Sequence, residues 1–447
     1  GFIPVDPTLR SRDPAIFAAG DCAALLGQPR PKAGVYAVRQ APTLFNNLRA
    51  TLSGTGGLRR YTAQRDYLKL ISLGGQSAVG ERFGITFAGP AIWRWKDRID
   101  KRFMERLRTR PMVDSPPRPW PRAKGSDAVA LPLCGGCGAK LGAPALFSPV
   151  DALVPAAGDD AAVLKTGTAT QVISTDHLRA FDRDPVVVAR IAAVHALGDI
   201  WAMGATPQAA TANIILPRQS ETLAARWMSE ILESAQDTLN AAGAELVGGH
   251  TTLGAELTVG FTVTGLCDAP PIGQSGARPG DTLILTKPLG TGVILAAHMA
   301  GKIGGAPYLA ALAAMGKPQG DAAHLLRHAH AMTDVTGFGL AGHLSRLCQA
   351  SDVGARIDLG AVPVLDGARH LLSSGIRASL HAENRRVLPD APNDPDTQIL
   401  FDPQTGGGLL AALPGDPAPK LDALRSLGHV AAAIGTVSDQ PNRIVLS

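Results

Sequence analysis

The hydrophobic pattern of residues 131–447 switches between the two periods that distinguish strands from helices. Short runs rich in apolar and β-branched residues predict strands at 171–175, 256–266 and 282–286. Longer stretches with apolar residues at helical spacing predict helices at 186–203, 219–242 and 337–350. These elements do not follow one another as regular β–α–β units, so the pattern predicts an α+β fold and not a doubly wound sheet.

A basic amphipathic helix is predicted at residues 91–108. Its apolar positions recur at helical spacing and are Ile92, Trp95, Ile99, Phe103 and Leu107, with lysines and arginines on the other faces. This composition is typical of a peripheral helix in a membrane interface. The alternative is a helix packed on its own domain with a solvated basic face, and the sequence leaves both open. No aromatic stacking platform or nucleic-acid-binding motif accompanies the charge, so we expect no nucleic-acid partner.

Charge and proline content divide the chain. Residues 1–124 hold 22 lysines and arginines against 9 aspartates and glutamates, whereas the remaining residues hold 21 against 29. A proline-rich run at 111–121 is unsuited to a helix or a central strand. We therefore predict an N-terminal module at 1–110, a linker at 111–130 and a second module with halves at 131–270 and 271–447.

Composition places the chain among globular proteins. Of its 447 residues 45% are hydrophobic and 18% are charged, and this length exceeds one ordinary hydrophobic core. Five cysteines, an odd number, without a signal-peptide pattern predict a reducing cytoplasmic location. The amphipathic helix at 91–108 would add contact with a membrane periphery.

Three aspartates beside small residues are the first candidates for chemistry. Asp334 ends an apolar run and precedes a glycine-rich turn, Asp160 follows Asp159, and Asp199 lies within an apolar helical pattern. Mg²⁺ is usually held by one or two carboxylates together with substrate phosphates, so scattered aspartates suit a nucleotide–Mg²⁺ site. The alternative for each is an ordinary turn or cap aspartate.

A cysteine-containing loop precedes these aspartates. Residues 134–140 present two thiols, Cys134 and Cys137, and the amine of Lys140. A lysine three residues after Cys137 is expected to favour its thiolate and equally to contact a phosphate. Half of a zinc site or a redox pair is the alternative, although the chain has no second Cys-x-x-Cys.

From Cys134 to the C-terminus the sequence resembles the selenophosphate synthetases, members of the aminoimidazole-ribotide-synthetase-like superfamily. The matching motifs occur in family order at residues 137–140, 159–163, 172–176, 199–204, 248–250, 285–290, 332–340 and 402–409. The resemblance implies a two-part ATP-binding fold whose first half pairs its sheet with a second copy, giving a homodimer. It also implies that ATP, selenide and water yield selenophosphate, AMP and orthophosphate with Mg²⁺.

The resemblance further implies roles for individual residues. Cys137 is the selenium-handling thiol, Lys140 is the catalytic amine, and the Mg²⁺ ligands are Asp160, Asp199 and Asp334. The implied nucleotide-binding set is Lys140, Ala157, Gly158, Asp159, Asp176, Asp199, Gly248, Gly249 and His250, the last three in a turn.

Three positions depart from the family pattern. The family commonly has Asn at His195 and Ser at Gly406, and some members have a second Cys at Ala139. Because His195 lies four residues before Asp199, the two share a helix face. His195 therefore either reaches the metal site or is an ordinary core histidine.

The N-terminal module has a different resemblance. Residues 14–22 are similar to a flavin-contacting motif of type II NADH dehydrogenase-like flavoproteins, in which Asp21 would contact the ribityl chain, and residues 35–41 resemble the stretch under the flavin ring. No Gly-x-Gly-x-x-Gly precedes them. We therefore expect residues 1–110 to be the C-terminal remnant of an FAD/NAD(P)-binding α/β domain, with a vestigial Asp21 and no independent FAD binding.

Three functions remain in play. The first is selenophosphate synthesis. The second is a sibling ATP-dependent synthetase or small-molecule kinase, which the thiol–lysine loop disfavours. The third is a flavin redox or membrane-tethering protein, which the missing dinucleotide fingerprint disfavours.

Overall fold

The computed structural model describes residues 1–54, 56–107, 134–141 and 159–447. The chain divides into two compact units, Gly1–Ala128 and Val129–Ser447, which are treated separately. The predicted linker at 111–130 lies outside the described residues, and the finer domain bounds stay predictions.

The described part of the first unit contains two small sheets and two α-helices. Its strands are β1 (Ile3–Val5), β2 (Ala23–Leu25), β3 (Lys69–Gly74), β4 (Ser77–Arg82) and β5 (Ile85–Gly89), and its helices are α1 (Gly34–Ser53) and α2 (Pro90–Leu107). Strands β1 and β2 pair in parallel, and β3, β4 and β5 form an antiparallel sheet in that order. A small hydrophobic core around Val5, Leu9 and Tyr61 stabilises residues 5–63 of this unit.

Helix α2 confirms the predicted helix and shows how its apolar side is used. It packs on β4 and β5, and the ring centroids of Trp95 and Phe87 are 6.5 Å apart. Ile99 and Phe103 remain exposed. The helix therefore combines packing on its own unit with an exposed apolar end.

In the described residues 159–270, the first half of the second unit is a five-stranded sheet backed by two helices. The elements are β6 (Ala162–Thr166), β7 (Ala169–Arg179), α3 (Pro185–Ala202), β8 (Thr206–Pro217), α4 (Glu221–Ala241), β9 (Glu245–Gly254) and β10 (Thr258–Cys267). The strand order is β6-β7-β10-β8-β9, antiparallel except for the parallel pair β8 and β9. Helix α3 packs on α4, β7 and β10, so the helices cover the sheet on one side.

Helix α3 is the core helix of this unit. Asp184 caps it by accepting a hydrogen bond from the Val186 amide at 2.9 Å, and Pro185 supplies a preset φ at its first position. It is apolar on nearly every face because it is surrounded, and 72% of its 18 residues are buried. By length and composition it alone among the described helices matches a membrane span, but its burial is that of a core helix.

The second half holds a six-stranded sheet. Its strands are β11 (Thr282–Leu285), β12 (Ala331–Asp334), β13 (Gly354–Ile357), β14 (Leu409–Leu413), β15 (Ala432–Ser438) and β16 (Ile444–Leu446), in the order β12-β14-β11-β15-β13-β16. Its helices are α5 (Thr291–Met299), α6 (Gly305–Met315), α7 (Gly320–Leu325), α8 (Gly339–Ser351), α9 (Ala368–Ser373), α10 (His381–Asn384), α11 (Pro395–Gln398) and α12 (Ala418–Ser426). One continuous hydrophobic core joins both halves of this unit.

The predicted elements correspond to β7, β10, β11, α3, α4 and α8, and the α+β class is confirmed. Two local expectations were wrong. Residues 248–250 do not form a turn but lie inside β9, where backbone pairing with β8 keeps them extended. The segment 134–140, which was expected to be a loop, contains a short 3₁₀ helix at residues 136–139, and both of its thiols, Cys134 before the helix and Cys137 within it, are buried.

Candidate active site

Three aspartates from distant parts of the second unit meet at one point. Asp160 precedes β6, Asp199 lies in the last turn of α3, and Asp334 ends β12. One carboxylate oxygen from each lies within 4.8 Å of the others. The structure therefore brings together the three residues that the sequence proposed as metal ligands.

Polar neighbours orient these carboxylates. Ser174 donates to Asp199 at 2.5 Å, and Gln274 and Thr333 each donate to Oδ1 of Asp160 at 2.8 Å. The other oxygen of Asp160, Oδ2, is buried and has no hydrogen-bond partner among the described residues. A buried carboxylate oxygen without a donor is free to bind a cation or a proton.

Burial and mutual repulsion shift the pKa of all three carboxyl groups upward. Burial, followed by the charge of Asp199, raises the pKa of Asp160 to about 8. Burial, followed by the charge of Asp160, raises the pKa of Asp334 to about 8, and burial with the charge of Asp334 raises that of Asp199 well above its usual range. Three carboxylates this close remain ionised together only beside a cation.

The thiol–lysine segment lies against this cluster. Gly136 adopts a φ of 61° at the start of the 3₁₀ helix, and the Cys137 amide donates to Thr405 Oγ1 at 3.0 Å. The stem of Lys140 rests on Gly337, where an added Cβ would lie 2.7 Å from the lysine Cδ. Lys140 Nζ lies 3.5 Å from Asp176 Oδ1. Glycine at 337 therefore leaves the space through which the lysine reaches the site.

The expectation that Lys140 makes Cys137 a thiolate is wrong for this state. Cys137 is 1% exposed, and burial raises its pKa to about 12 although the charge of Lys140 acts in the opposite direction. Burial also opposes the charge of Lys140 itself, but Asp176 and further carboxylates outweigh burial and raise the lysine pKa. Lys140 is therefore protonated and positively charged, and the thiol of Cys137 is neutral.

His195 does not reach the three carboxylates through any hydrogen bond or ion pair that the described residues show. Its Nε2 instead lies 3.2 Å from Cys137 Sγ and 3.5 Å from Asp176 Oδ2. Burial lowers its pKa to about 4, so the imidazole is neutral. Of the two expectations for this residue, the structure supports a buried histidine, and it adds an unforeseen thiol contact.

Comparison with known proteins assigns the family. Residues 158–267 match the family described as AIR synthase related protein, N-terminal domain, and residues 278–446 match its C-terminal domain. The chain is 37% identical to the selenide, water dikinase of Porphyromonas gingivalis over 335 residues, which are 70% of this chain and 95% of the relative. It is 36% identical to that of Geobacter metallireducens over 69% of this chain and 96% of the relative. The chain belongs to the selenide, water dikinase family.

Solved structures agree with this assignment at the level of the fold. Thiamine monophosphate kinase from Aquifex aeolicus matches with a TM-score of 0.52 and 18% identity, over 68% of this chain and 96% of the other. A complex of HypE with HypF matches with a TM-score of 0.53 and 17% identity, over 68% and 96%. At these identities the likeness extends to the fold alone.

The family resemblance implies a set of nucleotide-binding residues, and the described members of this set do not all lie together. Asp176, on β7, lies beside Lys140, and Asp159 Oδ1 accepts the Gln274 amide at 2.7 Å. Ala157 and Gly158 lie outside the described residues. Residues 248–250 of this set are on the edge strand β9.

Strand β9 is distant from the carboxylates within one chain. The register places Asp176, Phe261, Ala212 and Gly249 in one row across β7, β10, β8 and β9. Three strand spacings separate Gly249 from Asp176, which is roughly 14 Å. The structure does not bring residues 248–250 to the site, and their nucleotide role stays a prediction.

Sequence reasoning missed several residues that organise the site. Thr405 and Ser174 lie inside quoted motifs, but nothing in the motifs indicated that they contact Cys137 and Asp199. Gln274 has no motif signal, and its bonds to Asp159 and Asp160 span more than 110 positions. Lys287 is buried and donates to the Gly406 carbonyl at 2.8 Å, and burial lowers its pKa to about 7. It supports the loop that follows Thr405.

Asp21 lies in the first unit at a separate cavity of about 230 Å³. The cavity is also lined by Gly20, Lys32, Tyr36 and Gln40. Gln40 is buried and accepts the Gly20 amide at 2.6 Å, which ties the Asp21 turn to α1. The two stretches with flavoprotein resemblance are therefore adjacent in this unit.

Proposed function

We propose that this chain catalyses the reaction of its family, in which ATP, selenide and water give selenophosphate, AMP and orthophosphate. The supporting observation is that a buried thiol and a firmly protonated lysine lie beside a cluster of three carboxylates. The activity of a sibling kinase or synthetase of the same fold would not require such a thiol, so the thiol disfavours those alternatives. The chain is thus assigned as a phosphotransferase acting on ATP.

We propose Mg²⁺ as the cation of the carboxylate cluster. Hard oxygen donors, the partnerless oxygen of Asp160 and the raised pKa of Asp160, Asp199 and Asp334 all fit a divalent cation. When bound, Mg²⁺ neutralises charge on the phosphates that are cleaved.

The protein's own residues would divide the remaining work. Lys140 supplies positive charge to the phosphoryl group, and Asp176 holds the amine in place until ATP arrives. Gly198 leaves room for Asp334, since an added Cβ would lie 2.6 Å from its Oδ2. Because Cys137 is almost fully buried, selenium reaches the thiol only when the short helix 136–139 moves away from Thr405.

The deciding experiment is anaerobic ³¹P NMR of the protein with ATP, Mg²⁺ and selenide. Selenophosphate, AMP and orthophosphate are expected in equal amounts, with no selenophosphate when selenide is omitted. Phosphorylation of another small molecule, or ADP as the final product, would favour a sibling kinase and contradict the proposal.

We also propose that the chain forms a homodimer through its five-stranded sheet. The strands β6 and β9 are solvent-exposed along most of their length, including Val163, Leu164, Val247 and Leu253. Exposed apolar side chains on two strands of one sheet are unusual for a monomer. Light scattering coupled to size exclusion checks the mass, and Val247→Asp is expected to yield a monomer.

For the first unit we propose descent from a pyridine-nucleotide-dependent flavoprotein, with Asp21 as a vestige of its flavin site. The adjacency of residues 14–22 and 35–41 supports this proposal. No FAD binding is expected in a fluorescence titration of this chain. We further propose a cytoplasmic location, with peripheral membrane contact through α2, which co-sedimentation with anionic vesicles tests.

A further inference from the structure

His195, which stands where the family resemblance implies Asn, contacts the thiol of Cys137. The imidazole belongs to α3 and the thiol to the 3₁₀ helix, 58 positions apart. The two polar atoms are 3.2 Å apart, and both side chains are buried from solvent. A neutral imidazole has one acceptor nitrogen, so Nε2 accepts the thiol hydrogen in the tautomer that carries its own hydrogen on Nδ1, which is buried and has no hydrogen-bond partner among the described residues.

We propose that His195 is a positioning residue for Cys137. At rest, Nε2 of His195 accepts a hydrogen bond from the Cys137 thiol, and it takes the thiol proton when the sulfur binds selenium. In that step the S–H bond breaks and an N–H bond forms on Nε2, so no atom or electron enters or leaves. The role in selenium handling rests on the proposed function, whereas the proton transfer is a property of the chain itself.

Electrostatics explains why a partner is needed. An isolated thiolate at this depth pays the full desolvation penalty, and burial keeps the thiol of Cys137 and the imidazole of His195 neutral when each is considered alone. Proton transfer leaves the net charge unchanged and creates two opposite charges 3.2 Å apart, which stabilise each other strongly in a buried site. Transfer to His195 is therefore the least costly way for Cys137 to ionise.

Asp176 completes the arrangement. Its Oδ2 lies 3.5 Å from His195 Nε2, while its Oδ1 lies 3.5 Å from Lys140 Nζ. The carboxylate would stabilise the imidazolium from one side as Lys140 stabilises the thiolate from the other. Four other ionisable groups interact electrostatically with this pair, and they are His177 on β7, Lys287 after β11, Asp334 on β12 and His343 on α8.

The test measures alkylation of Cys137 by iodoacetamide as a function of pH, read by site-resolved mass spectrometry in the full chain. His195→Gln keeps an amide near the position of Nε2 but cannot accept a proton, and His195→Asn provides a second, shorter amide. Cys134 is an internal control, because it lies three residues away and is also buried, and its backbone amide donates to Ser379 Oγ and not to His195.

We expect alkylation of Cys137 near neutral pH to fall by about tenfold or more in both variants, with the profile moved to higher pH. Alkylation of Cys134 should not change. Unchanged Cys137 profiles would overturn the proposal. A parallel change of Cys134 and Cys137 would also overturn it, because that result assigns His195 to packing of the segment.

Failure of the proposed function has a different signature. ³¹P NMR could detect no selenophosphate while the pH dependence of Cys137 alkylation still changes in the His195 variants. That result would support proton transfer from Cys137 to His195 and contradict only its role in selenium handling. Thermal unfolding of each variant accompanies the assay. If His195→Gln does not fold, His195→Asn supplies the same comparison.

Discussion

At the scale of single residues, the site is defined by three neighbouring carboxylates whose negative charges no nearby lysine or arginine among the described residues neutralises in full. Asp160 and Asp199, which are half-buried, and Asp334, which is buried, repel one another, and Lys140 is paired with Asp176. The cluster therefore has high affinity for either protons or a cation, and its behaviour depends on pH and on metal.

Replacing Asp160, Asp199 or Asp334 by Asn is expected to lower AMP formation by about a hundredfold or more, because each change removes one negative charge from the Mg²⁺–ATP site. Unfolding temperature without Mg²⁺ should be unchanged or raised, since repulsion decreases. The wild type should gain stability with Mg²⁺ and the variants should gain less. Near-normal turnover in all three variants would contradict the assignment.

Stability without metal should fall as pH rises. Asp160 and Asp334 have folded pKa values of about 8 against an ordinary 3.8, so the folded state binds more protons than the unfolded state between these values. Their contribution is complete below the unfolded pKa and is lost as pH approaches the folded pKa. Urea denaturation in EDTA measures this, and the decline should be shallower in Asp334→Asn. Identical declines would refute the coupling.

The two members of the thiol–lysine segment should separate functionally. Lys140→Ala is expected to stop ATP cleavage, because the charge is needed as phosphate charge develops, whereas Cys137→Ser should lose selenophosphate but retain some ATP hydrolysis. Parallel assays of AMP and selenophosphate distinguish the two. Complete loss of ATP hydrolysis in both variants would contradict this division of labour.

At the scale of elements, α3 links the core to the chemistry. It places His195 against Cys137 and Asp199 in the carboxylate cluster, one helical turn apart, while its apolar faces fill the core. Gly198 sits where the helix meets Asp334. A glycine inside a helix costs stability, so its presence here indicates a need for space.

Gly198→Ala is expected to displace the Asp334 carboxylate, because the new Cβ would lie 2.6 Å from Oδ2. The helix itself favours alanine by about 0.5–1 kcal/mol. We therefore expect activity and Mg²⁺ affinity to fall while stability changes little. Gly305→Ala is the matched control, since a Cβ there meets open space. Equal activities of the two variants would show that Asp334 tolerates the displacement.

The sequence predicted β7, α3 and the aspartates well because local periodicity and short motifs specify them. It did not predict the partners of Cys137, because Thr405 is 268 positions away and His195 is 58 positions away. The family resemblance also implied a turn at residues 248–250, and only their pairing with β8 shows that they lie within a strand. Local pattern thus specified the elements, and long-range packing decided which side chains meet.

At the scale of the whole molecule, the two units differ in charge and in what they contribute. The described site residues assigned to ATP and selenium all lie in the second unit, which has its own continuous core. The family matches at 158–267 and 278–446 also fall within that unit. The first unit has a separate small core and a separate cavity.

We therefore predict that residues 1–110 are dispensable for synthesis. A protein that starts near Lys124 should fold, dimerise and form selenophosphate at a rate within about twofold of the full chain, because domains with their own cores fold independently. Light scattering and circular dichroism of the shortened protein control for assembly and folding before ³¹P NMR compares the rates. A large loss of activity in folded, dimeric protein would show that the first unit shapes the synthetase site. In that case the two units would act as one enzyme, and the division argued from charge and core separation would be wrong.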